Sequence, residues 1–109
     1  MCIRDSSAAI IGSMGLAASA NLDPLRRFPS MFEPVHGSAP DIAGKGVVNP
    51  LATILSAAMM LDHLQIGDAA RDVEAAVAAV LAGGKVRTPD LGGSSSTEAV
   101  AAAVLEKLA

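Results

Sequence analysis

From Glu33 to Gly46 the chain reads Glu33-Pro34-Val35-His36-Gly37-Ser38-Ala39-Pro40-Asp41-Ile42-Ala43-Gly44-Lys45-Gly46. One short run thus holds a carboxylate, an imidazole, small residues and a second carboxylate, and it leads into the start of a helix at Asn49. Gly37 and Ser38 offer backbone amides that no bulky side chain obstructs. Asp41 accepts two hydroxyl hydrogen bonds, which is what a vicinal ribose diol presents. These are the parts of an adenosine site. Taken singly, each residue has an ordinary structural use: Gly and Pro turn the chain, His36 is a satisfied buried histidine, and Asn49 only caps. Their concentration in one stretch is what points to a ligand, because long ordered loops inside a compact domain tend to carry function.

Such a loop needs rigid neighbours, and three segments read as helices. The first has Asn49 as N-cap and Pro50 at the first helical position, and it runs to about His63. Leu51, Ile54, Leu55, Ala58 and Leu61 follow the spacing of one buried face, while Met59 and Met60 make the helix apolar nearly all round. That pattern favours an interior helix. The second starts at Asp68, carries Val73, Val77, Val80 and Leu81 on one face, and stops at Gly83-Gly84. The third opens on Ser95-Ser96-Thr97-Glu98, read as a capping box between Ser95 and Glu98, and continues through Ala101, Val104, Leu105 and Leu108. Strand signals are short: Met31 to Val35, interrupted by Pro34, and Lys85 to Thr88.

With 109 residues the chain has room for one domain at most. Alanine supplies 22 of the residues, aromatic residues only 2%, and Trp and Tyr are absent. Faces built from Ala gain little transfer free energy, about 0.8 kcal/mol per methyl-sized group, so the isolated chain is expected to be only marginally stable and to aggregate or dimerise. The formal net charge of −3 and the lack of a basic cluster beyond Arg26-Arg27 argue against nucleic acid and anionic membranes as partners. A single cysteine, Cys2, excludes an internal disulfide and suits the cytoplasm. The longest apolar run, Leu51 to Leu61, is too short to span a bilayer, which needs about 20 residues. The N-terminal stretch has no signal-peptide core.

Phe32 to Gly46, followed by Asn49-Pro50, resembles the cofactor loop of the decarboxylating dehydrogenases. These include the 3-isopropylmalate, tartrate or D-malate, homoisocitrate and isocitrate dehydrogenases. The resemblance runs from about Ala8, through Gly12-Ser13-Met14-Gly15-Leu16, to Thr88-Pro89-Asp90-Leu91-Gly92-Gly93 and the last helix. It matches the C-terminal part of such an enzyme. The implied fold class is α/β, isopropylmalate/isocitrate dehydrogenase-like, limited here to mostly helices with one or two short strands. Residues 8–109 form the matching unit. Met1-Cys2-Ile3-Arg4-Asp5-Ser6 departs from the family pattern, and residues 1–7 are read as foreign to it.

The resemblance implies NAD as cofactor. It places His36 and Asn49 against the adenine, the backbone of Gly37, Ser38, Ala39 and Pro40 along the adenosine, and Asp41 with Ile42 at the ribose. The NADP-using relatives carry Lys and Tyr at these last two positions, and a carboxylate repels a 2′-phosphate while accepting from a free diol. The implied reaction oxidises a 2-hydroxy acid of malate type and releases CO₂, with Mg²⁺ or Mn²⁺ holding the substrate oxygens. The implied parent is a homodimer. Of two family metal aspartates four residues apart, the second aligns with Asp5 and the first with Met1. Asp5 is thus a lone metal-ligand candidate, and no catalytic residue is assigned. The substrate-clamping arginines and the proton-moving Tyr and Lys lie upstream in the family, so the chain alone is expected to be inactive. The alternatives are an adenosine-binding module with no enzyme behind it and a helical interaction module.

Overall fold

The computed structural model describes residues 14–38 and 40–108. Two strands, β1 (Ala18–Asn21) and β2 (Met31–Pro34), precede three helices, α1 (Leu51–His63), α2 (Gly67–Gly83) and α3 (Thr97–Leu108). Short 3₁₀ turns lie at Met14–Leu16 and Pro89–Leu91. The strands pair antiparallel, with Ala18 opposite Pro34 and Asn21 opposite Met31. The hairpin packs on α1, α1 on α2, and α2 on α3. This is the expected α/β architecture, mostly helical with a small strand remnant.

The core is small and built from branched aliphatics. Leu51, Ala76, Val77, Val80, Val100 and Val104 form its buried centre, with Leu16, Ile54, Leu55, Leu81 and Val86 at its margin. Along α1, Leu51, Ala52, Ser56 and Ala58 are buried, whereas Thr53, Ala57 and Met60 are exposed. The helix is therefore interior along one side and open along the other. Buried Ser56 donates its hydroxyl to the Ala52 carbonyl at 2.8 Å and so leaves no unsatisfied polar group.

Several local expectations are corrected. α1 begins at Leu51, one residue later than expected, because Pro50 occupies the cap position at φ −85° and ψ −2°. Asn49 still serves the helix end, its Oδ1 accepting from the Leu51 amide at 2.9 Å. α1 closes with Ile66 N–H donating to the Leu61 carbonyl and Gln65 N–H to that of Asp62. Gln65 takes the left-handed conformation, φ 65°, that a glycine usually fills at this point. α2 stops where expected, at Gly84 with φ 67°. On α3 the cap is Ser96, whose Oγ accepts from the Ala99 amide at 3.1 Å. Ser95 faces away and accepts from the Arg87 amide at 3.2 Å, so no Ser95–Glu98 box forms. The same pairing explains why Lys85 to Thr88 is not a strand: Arg87 spends its amide and carbonyl on Ser95 instead of a neighbouring strand. β1 escaped the sequence reading because Ala, Ser and Asn carry little strand propensity, and only pairing with β2 defines it.

The loop joining β1 to β2 is organised by Asp23. Its Oδ1 accepts from the Leu25 amide at 3.1 Å, and its Oδ2 accepts from the amides of Arg27 and Phe28 at 2.9 Å each. Desolvation in the loop pushes this carboxyl upward, but the amides of Phe28, Leu25 and Arg27 outweigh it and hold the pKa below the ordinary aspartate value. A depressed folded-state pKa adds stability above the unfolded value, and that stability is lost as pH falls through the folded value. Asp23→Ala is thus expected to lower Tm at neutral pH. The gap between variant and native midpoints should close on acidification below about pH 4. A gap that stays constant down to pH 2 in thermal melts would show that Asp23 does not hold the loop.

Candidate functional site

The loop from Val35 to Pro50 is fixed at both ends and open in the middle. At its start, the Val35 amide continues the hairpin ladder by donating to the Ala17 carbonyl at 2.9 Å. At its end, α3 takes hold of it: the Thr97 amide donates to the Gly46 carbonyl at 2.8 Å and the Thr97 hydroxyl to the Val48 carbonyl. Between these anchors Gly37, Ser38 and Pro40 to Gly46 are all exposed. Lys45 N–H donates to the Ile42 carbonyl at 3.2 Å, and Gly44 and Gly46 adopt φ of 79° and 69°, which a side chain would resist. The backbone is thus held as a shaped, solvent-facing turn.

His36 is half-buried at the base of this turn. Its Nδ1 lies 2.9 Å from the Gly37 carbonyl, and a carbonyl only accepts, so Nδ1 carries the proton. In the neutral ring Nε2 is then a bare acceptor, and it is buried with no hydrogen-bond partner among the described residues. Leaving such an atom unpaired costs about 1–3 kcal/mol. Asp41, at the tip of the turn, is exposed and forms no hydrogen bond or ion pair among the described residues. Its carboxylate is available to a diol.

Asn49 sits at the far end and is nearly fully buried, 4% exposed. Its Nδ2 donates to Asp90 Oδ2 at 3.1 Å. Asp90 Oδ1 in turn accepts from the hydroxyl of buried Thr88. The structure thus joins Asn49 to the turn at Pro89–Leu91, while no hydrogen bond joins it to His36 among the described residues. Thr88 and Asp90 received no role from the sequence, although they stand in the Thr88-Pro89-Asp90-Leu91-Gly92-Gly93 run. Ala39 and Asp5 lie outside the described residues. Among the described residues no group of three His, Cys, Asp or Glu side chains is placed to hold a metal ion, and no helix is long and apolar enough to cross a membrane.

The sequence pattern of isocitrate/isopropylmalate dehydrogenases matches residues 2–106. The chain belongs to this family. It is 52% identical over 107 residues to a probable tartrate dehydrogenase/decarboxylase of Agrobacterium vitis, covering 98% of this chain and 30% of that protein. It is 56% identical over 106 residues to the isocitrate/homoisocitrate dehydrogenase of Thermus thermophilus, covering 97% and 30%. The crystal structure of isocitrate dehydrogenase from Methylococcus capsulatus is 46% identical and superposes with a TM-score of 0.88 over 95% of this chain and 30% of that one. The chain therefore spans about 30% of the length of these relatives, and the dehydrogenase-family fold of the segment is shown.

Proposed function

We propose that this chain is the NAD-binding part of a cytoplasmic, homodimeric oxidoreductase that oxidatively decarboxylates a 2-hydroxy acid of malate type. Tartrate, D-malate and 3-isopropylmalate are the candidate substrates, and Mg²⁺ or Mn²⁺ the candidate metal. The observation that carries the reading is the loop itself: an anchored turn with exposed small residues, an unpaired buried acceptor on His36 and a free carboxylate on Asp41. This donor and acceptor set fits an adenosine. His36, Gly37, Ser38, Ala39, Pro40, Asp41, Ile42 and Asn49 would hold it. The bound nicotinamide supplies a hydride acceptor for an alcohol. What this chain contributes is binding and orientation: exposed amides along the nucleoside, a carboxylate toward the ribose, and a loop whose ends are anchored on Ala17 and Thr97. The dehydrogenase names of the relatives support the reaction class, and the tartrate name supports a malate-type acid. Metal binding rests on Asp5 alone here, and no step is derived from it.

The test is calorimetric titration of the chain with NAD, NADP and ADP-ribose, alongside an assay for NADH production with D-malate, tartrate or 3-isopropylmalate and Mg²⁺ or Mn²⁺. NAD and ADP-ribose are expected to bind in preference to NADP, without turnover. Preference for NADP would remove Asp41 from the ribose. Steady NADH formation would show that the chain carries more of the catalytic apparatus than proposed.

A further inference from the structure

A second recess lies away from the Val35–Pro50 loop, where the segment joining β1 to β2 folds over the last turn of α1. Phe28, Phe32, Met60 and Leu64 wall it, and Arg26, Ser30 and His63 supply its polar edge. Its volume is about 280 Å³, at the small end for ligand sites, which begin near about 300 Å³. No Asp or Glu among the described residues lines it. Phe28 and Leu64 are more than half exposed, so much of this apolar wall is not used by the core.

The polar edge consists of donors whose other bonds fix their roles. The Ser30 hydroxyl accepts from the Asp23 amide at 3.1 Å, which leaves its own proton for His63 Nε2, 3.3 Å away. In the neutral ring Nδ1 then carries the proton, and no described residue accepts it. The Phe32 ring lies tilted against the imidazole, with centroids 5.6 Å apart. Arg26 stands at φ 55°, a left-handed conformation that non-glycine residues rarely adopt. Its amide donates to the Asp23 carbonyl at 3.0 Å, and its guanidinium donates to the His63 carbonyl, one of the unpaired acceptors at the end of α1. A guanidinium has five N–H donors, so this bond leaves a donor fork at the recess. Arg27 is engaged elsewhere, 4.0 Å from Asp23 and with its guanidinium carbon 5.8 Å from the Phe28 ring centroid. One full positive charge therefore serves the recess.

We infer that this recess is a binding site for a small monocarboxylate with a branched aliphatic or aromatic body. Its carboxylate accepts from Arg26 and His63, and its body packs against Phe28, Phe32, Met60 and Leu64. A single guanidinium matches one carboxylate in a two-pronged pairing, and the apolar walls offer nothing to a second anionic group. The site is independent of the adenosine reading. His36 follows the Pro34 end of β2 and Asn49 precedes the start of α1, whereas Ser30 and His63 stand at the opposite ends of these elements.

The experiment titrates the full chain with 3-phenylpropionate and 4-methylpentanoate, followed by calorimetry and by amide chemical shifts. The alcohols 3-phenylpropanol and 4-methylpentanol are the uncharged controls, and glutarate is the dicarboxylate control. Both acids are expected to bind with Kd on the order of 1 mM, and the alcohols and glutarate at least about tenfold more weakly. Shifts should centre on residues 26–32 and 60–64, and saturating ADP-ribose should leave them unchanged. Arg26→Gln and Phe28→Ala should each weaken both acids by about tenfold. Circular dichroism establishes that the variants fold, and Phe28→Ala, which removes an exposed ring, decides the matter if Arg26→Gln does not. The assignment is overturned by alcohols that bind as well as the acids, by shifts centred on residues 36–46, or by variants of unchanged affinity. Absence of binding up to about 20 mM acid, well above the expected Kd, overturns it as well. Failure of NAD to bind would count against the adenosine reading alone.

Discussion

Leu51→Asp is expected to abolish the cooperative thermal transition of this protein. Leu51 is 1% exposed and lies at the centre of the cluster formed with Ala76, Val77, Val80, Val100 and Val104. Truncating a buried leucine costs about 2–5 kcal/mol in lost transfer free energy and cavity formation. A carboxylate at the same point adds several kcal/mol more, because it would be buried among the apolar side chains of Ala76, Val77, Val80, Val100 and Val104. A small domain is stabilised by only about 5–15 kcal/mol in total. Leu51→Ala should therefore remain folded with a markedly lower Tm, and Leu51→Asp should not fold. Leu55 is a weaker probe, since it lies at the margin of the cluster. Circular dichroism melts of the two Leu51 variants check the ordering, and an unchanged midpoint in Leu51→Asp would refute the packing of α1 against α2 and α3.

The double substitution Asp41→Lys with Ile42→Tyr is expected to reverse the cofactor preference. Asp41 stands exposed on the turn with no partner among the described residues, so its charge is fully available to a ligand. A 2′-phosphate placed against it meets a like charge, whereas lysine there attracts the phosphate. At a separation of about 4 Å near a protein surface, such a pair is worth on the order of 1–4 kcal/mol. NADP affinity should rise by at least about tenfold and NAD affinity fall by a similar factor. Because the site faces solvent, the gain should shrink as salt is raised from 0.05 to about 0.5 M. Identical affinities before and after the exchange, measured by titration at low salt, would dissociate Asp41 from the ribose.

How much of this was legible beforehand differs by element. The course of α1 and α2 followed from apolar spacing and from Pro50 and Gly84, because those signals act within a few residues. The cap of α3 was placed one residue early: Ser95 and Ser96 are identical in type, and only the engagement of Ser95 with Arg87, eight residues upstream, leaves Ser96 to the helix. β1 and the lack of a strand at Lys85 to Thr88 were illegible for the same reason. Strand identity is a property of pairs, and the pairing partners are remote in sequence.

The loop from Val35 to Pro50 shows the same division most clearly. Residue chemistry alone determined that a carboxylate, an imidazole and small residues stand together between Glu33 and Gly46, since covalent order puts them there in any conformation. Only the tertiary structure decided which of their atoms are already committed. His36 spends Nδ1 on the adjacent carbonyl and keeps Nε2 unpaired among the described residues, while Asn49, which the sequence offers as a cap and by resemblance as an adenine contact, also engages Asp90, 41 residues away. The physical reason is that a hydrogen-bonding group is defined by what remains of it after the fold has used its share, and that remainder depends on contacts that no local sequence pattern encodes.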